Sequence, residues 1–172
     1  RWIYNRGGNC FQVRTWTSKK APKVNMDFKV ISGKKVKLII THHFDNTNGW
    51  IILPGTAKGE FVARPKAESM IAGKFPKAQF RIIINSKLSE YKPCSVDFLY
   101  FRKKRRESSL FVLEVIDVRE FCMSFVGEVC AETKDIRIKD ADKEWLSDCQ
   151  DAQNILKDLC LNLSLEGKQD DS

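Results

Sequence analysis

Between Val24 and Ile40 the apolar side chains recur at every second residue. Val24, Met26, Phe28 and Val30 alternate with Asn25, Asp27, Lys29 and Ile31; beyond Ser32-Gly33-Lys34, Val36, Leu38 and Ile40 alternate with Lys35, Lys37 and Ile39. Successive residues of an extended strand point to opposite faces, whereas a helix gathers residues three or four apart. The pattern therefore commits this region to a sheet with one buried face. The turn at Gly33 makes the two runs a predicted hairpin, with Lys29, Lys35 and Lys37 on its polar side.

The same period returns along the chain. Strands are expected near 12–17, 24–31, 35–42, 50–53, 59–63, 79–85, 95–101 and 110–118, eight in all. Connections are mostly short and no regular strand–helix–strand alternation appears, which favours antiparallel pairing. The fold expected is mainly β, an antiparallel β-sandwich or jelly-roll-like domain. With 172 residues, 42% of them hydrophobic, the chain suits one domain around a single core.

Two or so helical turns are predicted over 65–73, between a proline and a glycine. Phe121, Cys122, Phe125, Val126 and Val129 fit helical spacing, so Phe121–Cys130 is read as helix, with a bent strand as the alternative; Ile136 and Ile138 suggest a brief extended piece. The last element is clearer. Trp145, Cys149, Ala152, Leu156, Leu159 and Leu163 recur at steps of four and three, behind Asp140 and Asp142 and ahead of Gly167. Acidic residues at the start complement the helix dipole, and the stripe defines an amphipathic C-terminal α-helix. The expected organisation is a basic β-sandwich over 1–139, a helix packed on that domain over 140–166, and a disordered tail over 167–172. The stripe is expected to dock on the domain's own sheet, with a seam to a partner as the second reading.

Charge is divided along the chain. Residues 1–106 hold 23 Lys and Arg against 6 Asp and Glu, whereas residues 107–172 hold 7 against 16. A basic half attracts phosphate by long-range steering and counterion release. Five of its cations are consecutive, Arg102, Lys103, Lys104, Arg105 and Arg106, in the expected hairpin tip between the strands of Ser95–Val118. Tyr100 beside them and Trp16 in the first predicted strand add flat rings, and rings with cations suit single-stranded nucleic acid.

Reaction chemistry has little local support. His42 and His43 are the two histidines, and as strand neighbours they face opposite ways. Seven residues separate Cys122 from Cys130 and ten separate Cys149 from Cys160, unlike the knuckles of structural zinc sites. The six cysteines include no C-x-x-C pair, and no secretory signal opens the chain; they are expected to be reduced, in the cytoplasm or nucleus. The chain opens on Arg1, as a trimmed or processed product would. No phosphate-cradling glycine loop is found. Neither catalytic residues, metal nor cofactor is assigned.

Two functional expectations follow. The first is a non-enzymatic nucleic-acid-binding domain, RNA over DNA, contacting phosphates through Arg102–Arg106, Lys29, Lys35 and Lys37 and bases through Tyr100 and Trp16. The second is a protein-interaction or self-assembly module, matrix-, coat- or scaffold-like as in small viral proteins, with Trp145, Cys149, Leu156, Leu159 and Leu163 meeting a partner. An anionic membrane surface is a variant of the second, without a transmembrane segment, since no apolar run reaches the roughly 20 residues a span needs.

Overall fold

The computed structural model describes residues 1–19, 21–45, 49–85, 91–94, 99, 109–128 and 138–166, with side chains of the final helix described as far as Lys157. Ten strands and two helices occur in these residues. They are β1 (Trp2–Arg6), β2 (Asn9–Thr17), β3 (Lys23–Ser32), β4 (Val36–Asp45), β5 (Trp50–Pro54), β6 (Glu60–Pro65), α1 (Met70–Lys74), β7 (Gln79–Ile84), β8 (Tyr91–Cys94), β9 (Ser109–Val118), β10 (Glu120–Glu128) and α2 (Ala141–Glu166). Two antiparallel sheets pack as a sandwich, a seven-stranded one ordered β1-β2-β3-β10-β7-β6-β5 and a three-stranded one ordered β4-β9-β8.

The alternation at Val24–Ile40 gives two strands, but they do not form the expected hairpin. Both edges of β3 are occupied, by β2 and β10, so β4 crosses to the other sheet and pairs with β9. Gly33 makes that corner at φ 106°, where a Cβ would lie 2.1 Å from the Asn9 side-chain oxygen. A second corner runs the opposite way, from β9 to β10, with Asp117 at φ 53°. Aspartate tolerates this left-handed region better than most residues. The corners are tied together, because Arg119 donates from Nη2 to the Gly33 carbonyl at 3.2 Å and accepts from the Val30 N–H at 2.8 Å through its own carbonyl.

Phe121–Cys130 is the clearest correction, since residues 120–128 form β10, a central strand. Phe121 and Met123 point into the sandwich while Cys122, Ser124 and Val126 point outward, and all five are buried. A strand covered on both faces loses its alternation, and its near-continuous apolar run imitates helical spacing. The core lies between Phe61, Ile82, Ile84, Phe121 and Met123 of the large sheet and Phe111, Leu113 and Val115 of β9. Each such side chain contributes roughly 1.5–3 kcal/mol on burial.

The predicted helix over 65–73 shrinks to α1, one turn capped by Ser69, whose hydroxyl accepts from the Ala72 N–H at 3.2 Å. Strands β1 and β8 appear where none was predicted. Ile138 belongs to neither a strand nor a helix. The expected strand over 95–101, apart from Leu99 in a turn, lies outside the described residues, as do the tip at 102–106 and the tail at 167–172.

Candidate functional site at the junction of sheet and helix

Period-two geometry puts Gln12, Arg14 and Trp16 of β2 on the outer face of the large sheet, and the register sets Arg14 opposite Asp27 and Trp16 opposite Asn25. A row of polar side chains on an outer strand face is normally solvated, yet Gln12, Arg14, Lys23, Asn25, Asp27 and Ser124 are all buried. The first turns of α2 and the segment before them contribute to the cover. Buried polar groups need partners, and here the partners connect sheet to helix.

Arg14 is the centre of one network. Its Nε lies 3.0 and 3.1 Å from the two Asp27 carboxylate oxygens, and its Nη2 reaches both Asp27 and, at 2.6 Å, Asp142 of α2. The hydrogen bond to Asp27 is the main reason the guanidinium is held even further in its charged form. The same group sits 6.0 Å from the Trp16 ring centre and 5.4 Å from that of Trp145.

A second network runs parallel to it. Lys23 meets Glu144 of α2 at 2.5 Å, and Asn25 donates to the same carboxylate at 3.2 Å. The Ser124 hydroxyl donates to Asn25 at 2.8 Å, Asn85 donates to that hydroxyl at 2.9 Å, and the Asn85 oxygen accepts the Ile138 N–H at 2.9 Å. Strands β2, β3 and β10, together with Asn85 just past β7, are thus linked to the entrance of α2. Between the networks, Trp16, Cys122 and Ile138 form a small apolar cluster joined by Trp145. Burial pushes the Cys122 thiol up to about 12, which makes it a poor nucleophile.

A cavity of about 310 Å³ opens beside Arg14, lined among others by Lys29, Glu120, Asp140 and Asp142. On the outer face beyond the helix, Arg81 lies between two buried carboxylates, 3.2 Å from each of Glu60 and Glu128, and Gln79 donates to Glu128 at 2.7 Å. The chemistry these groups support is electrostatic locking. No cluster of metal-ligating side chains occurs among the described residues. His42 and His43 do face opposite ways, and His42 stacks on Phe125 with ring centres 4.1 Å apart.

The residues singled out in the sequence are scattered by the fold. Trp16 is buried, with Trp145 edge-on to it at 5.5 Å, so its ring is engaged within the chain. Lys29 projects from the large sheet and pairs with Glu120 at 3.1 Å, Lys37 projects from the small sheet and pairs with Glu114, and Lys35 stands exposed in the turn between. These three do not share a face. Tyr100 and Arg102, Lys103, Lys104, Arg105 and Arg106 lie outside the described residues.

The helical stripe is divided. Trp145 and Cys149 are half-buried, whereas every residue from Ala152 to Lys157 is exposed, including Ile155 at 45% and Leu156 at 61%. Leu159 and Leu163 belong to the same helix but their side chains lie outside the described residues. Sequence reasoning missed Arg14, Asp27, Asn25 and Ser124. An arginine and an aspartate at interior positions of two adjoining predicted strands were the available signal.

The family model of the glycoside phosphorylase supersandwich domain matches residues 1–127 of the 172, and the chain belongs to that family. The match covers both sheets and ends within the last residues of β10, ahead of α2. No curated protein matches the chain.

Proposed function

We propose that this chain, as a glycoside phosphorylase supersandwich domain, is an assembly module rather than a seat of reaction. In this reading the sandwich fixes the direction of α2, and the distal turns of α2 receive a second protein unit. The observation that carries it is the change along α2 from clamped to bare: among the described side chains, which reach Lys157, none after Asp151 is buried or half-buried, and Ile155 and Leu156 stand exposed. Exposed apolar residues on a helix are the anchors of helix docking. The two networks make the projection rigid, so an incoming unit finds its contact surface already ordered.

Phosphorolysis of a glycoside needs an acid for the departing oxygen and cations for phosphate. The buried carboxylates described above hold arginine or lysine within the chain, which supports the reading of a module without its own reaction. The basic half offers the competing reading, RNA binding, because residues 1–44 hold ten Lys and Arg and a single acidic residue, Asp27. No helix among the described residues is long and apolar enough to cross a membrane.

In the isolated chain the available partner for α2 is a second copy, so the test is the mass by light scattering at high protein concentration and low salt. Association is expected in the wild type and loss of it in the Ile155→Asp, Leu156→Asp double variant. A wild-type monomer under those conditions would overturn the proposal. Steep, salt-dependent binding of labelled single-stranded RNA, unchanged by the double variant, would favour the nucleic-acid reading.

A further inference from the structure

Helix α2 leaves the sandwich at an end that the strand register defines. Asp142 meets Arg14 and, two residues farther along β2, Trp16 meets Trp145, so α2 advances toward the end of β2 at Thr17. The large sheet is antiparallel in the order β2-β3-β10-β7-β6, which brings the start of β3, the end of β10, the start of β7 and the end of β6 to that same end. Two bonds lie there: the Gly127 N–H donates to the Pro22 carbonyl at 2.9 Å, and Gln79 donates to Glu128 at 2.7 Å. The connection from β6 to β7, which carries α1, therefore emerges at the end past which α2 projects. It stands three to four strand spacings from β2, or about 14–19 Å.

This α1 corner is apolar and cationic at once. Met70 is 79% exposed and Phe75 58%, in a segment whose two ends are tied where Arg64 donates from Nε to the Gln79 side-chain oxygen at 3.0 Å. From residue 64 to 79 the chain has four cations, Arg64, Lys66, Lys74 and Lys77, and one acid, Glu68. Unlike Lys29 and Lys37, none of the four is ion-paired among the described residues. Arg64 and Lys77 border an open pocket of about 300 Å³ walled by Pro65 and Pro76. The projecting turns of α2 have the opposite balance. Residues 151–166 hold Asp151, Asp158 and Glu166 against Lys157, and Asp151 stands four residues before Ile155, on the same face of the helix.

We infer that the α1 corner is the seat for α2 of a second copy, in a two-fold dimer in which each α2 lies on the other chain's corner. The inference rests on the docking reading of α2 and names the surface that receives it. Because the helix and the corner emerge at one end, a single two-fold axis there satisfies both contacts and closes the pair. Ile155 and Leu156 then meet Met70 and Phe75, and the acids of α2 come among the four cations. Charge selects this occupant over a lipid surface or RNA. Either polyanion suits the corner, but on approaching the same end it meets the acids of the projecting helix. A second copy supplies an acid-flanked apolar helix to the cationic corner and a cationic apolar corner to the helix.

The test uses the whole 172-residue chain and light scattering over a concentration series at low salt. The wild type is expected to reach the mass of two copies and to stop there. Met70→Asp with Phe75→Asp should weaken association about a hundredfold, as loss of docking anchors does. Its thermal melt should be preserved, because both side chains are exposed. Mixed with the Ile155→Asp, Leu156→Asp chain, this corner variant should form a heterodimer at concentrations where neither associates alone, because one intact helix meets one intact corner. A dimer that the corner variant leaves unweakened, or a mixture that stays monomeric, would overturn the inference and leave the docking reading standing; a wild-type monomer would remove both. Growth beyond two copies would also overturn it, since an open chain of contacts would then replace the closed pair. So would a corner variant that keeps the dimer but loses sedimentation with phosphatidylserine vesicles, which would assign the corner to a membrane.

Discussion

Trp145 of α2 stands edge-on to Trp16 of β2, with ring centres 5.5 Å apart and planes at 83°. This contact joins the only helix longer than one turn among the described residues to the outer face of the large sheet, and Arg14 lies within 6.0 Å of both rings. An edge-to-face pair is favourable beyond its buried area, because the positive edge of one ring meets the negative face of the other.

Removing one ring tests whether the contact anchors the helix. Trp145 is half-buried, so Trp145→Ala should cost about 2 kcal/mol, less than a fully buried tryptophan would. The expected local signature is faster amide exchange over the first turns of α2 with β9 and β10 unaffected. Uniform acceleration across the sandwich would mean that helix and sheet unfold as one unit and that the anchor has no separate role.

The histidine on the inner face of β4 gives the chain a pH dependence whose sign can be worked out. Burial is the main cause that holds the His42 pKa below its ordinary 6.5, with the neighbouring His43 a lesser one. The unfolded chain then binds the proton more readily than the folded one. Stability from this group is complete above pH 6.5, falls as the pH drops below that value, and stops falling once the lowered folded-state pKa is passed. Denaturant midpoints measured across pH 4.5–7.5 should show this component in the wild type and in His43→Asn. His42→Phe should lack it, and an unaltered profile in that variant would assign the acid sensitivity to other groups.

How far the fold can be read from the sequence depends on how many faces of a strand are covered. β3 has an inner face of Met26 and Phe28 and an outer face of Asn25 and Asp27, so its alternation survives even though both faces end up buried. β10 has Cys122 and Val126 on its outer face, and the same burial erases the pattern. Pairing was less legible than strand existence. A short turn ordinarily returns a strand beside its predecessor, and nothing local to Ser32-Gly33-Lys34 shows that β2 and β10 already fill both edges of β3. The junction was half legible for a related reason. The stripe with Trp145 and Leu156 follows from spacing alone, but where the sheet's support ends along that stripe is a tertiary fact. Arg14 and Asp27 are thirteen residues apart and meet only through the β2–β3 register.

The same pair separates a buried charge from an exposed one. Arg14 and Asp27 side chains are each 7% exposed, whereas that of Asp142, the other carboxylate on Arg14, is 63% exposed. Removing the cation strands Asp27 in a poorly solvated site, so Arg14→Met should cost about 3–5 kcal/mol. Asp142→Asn keeps the buried pair and loses a screened interaction, for at most about 1 kcal/mol. Replacing both buried partners by apolar residues, Arg14→Met with Asp27→Leu, should recover much of the loss, because no unpaired charge remains inside. Urea midpoints of the three variants decide the matter. Equal losses for Arg14→Met and Asp142→Asn would shift the weight of the junction from the sheet pair to the helix contact, and the order expected here would be wrong.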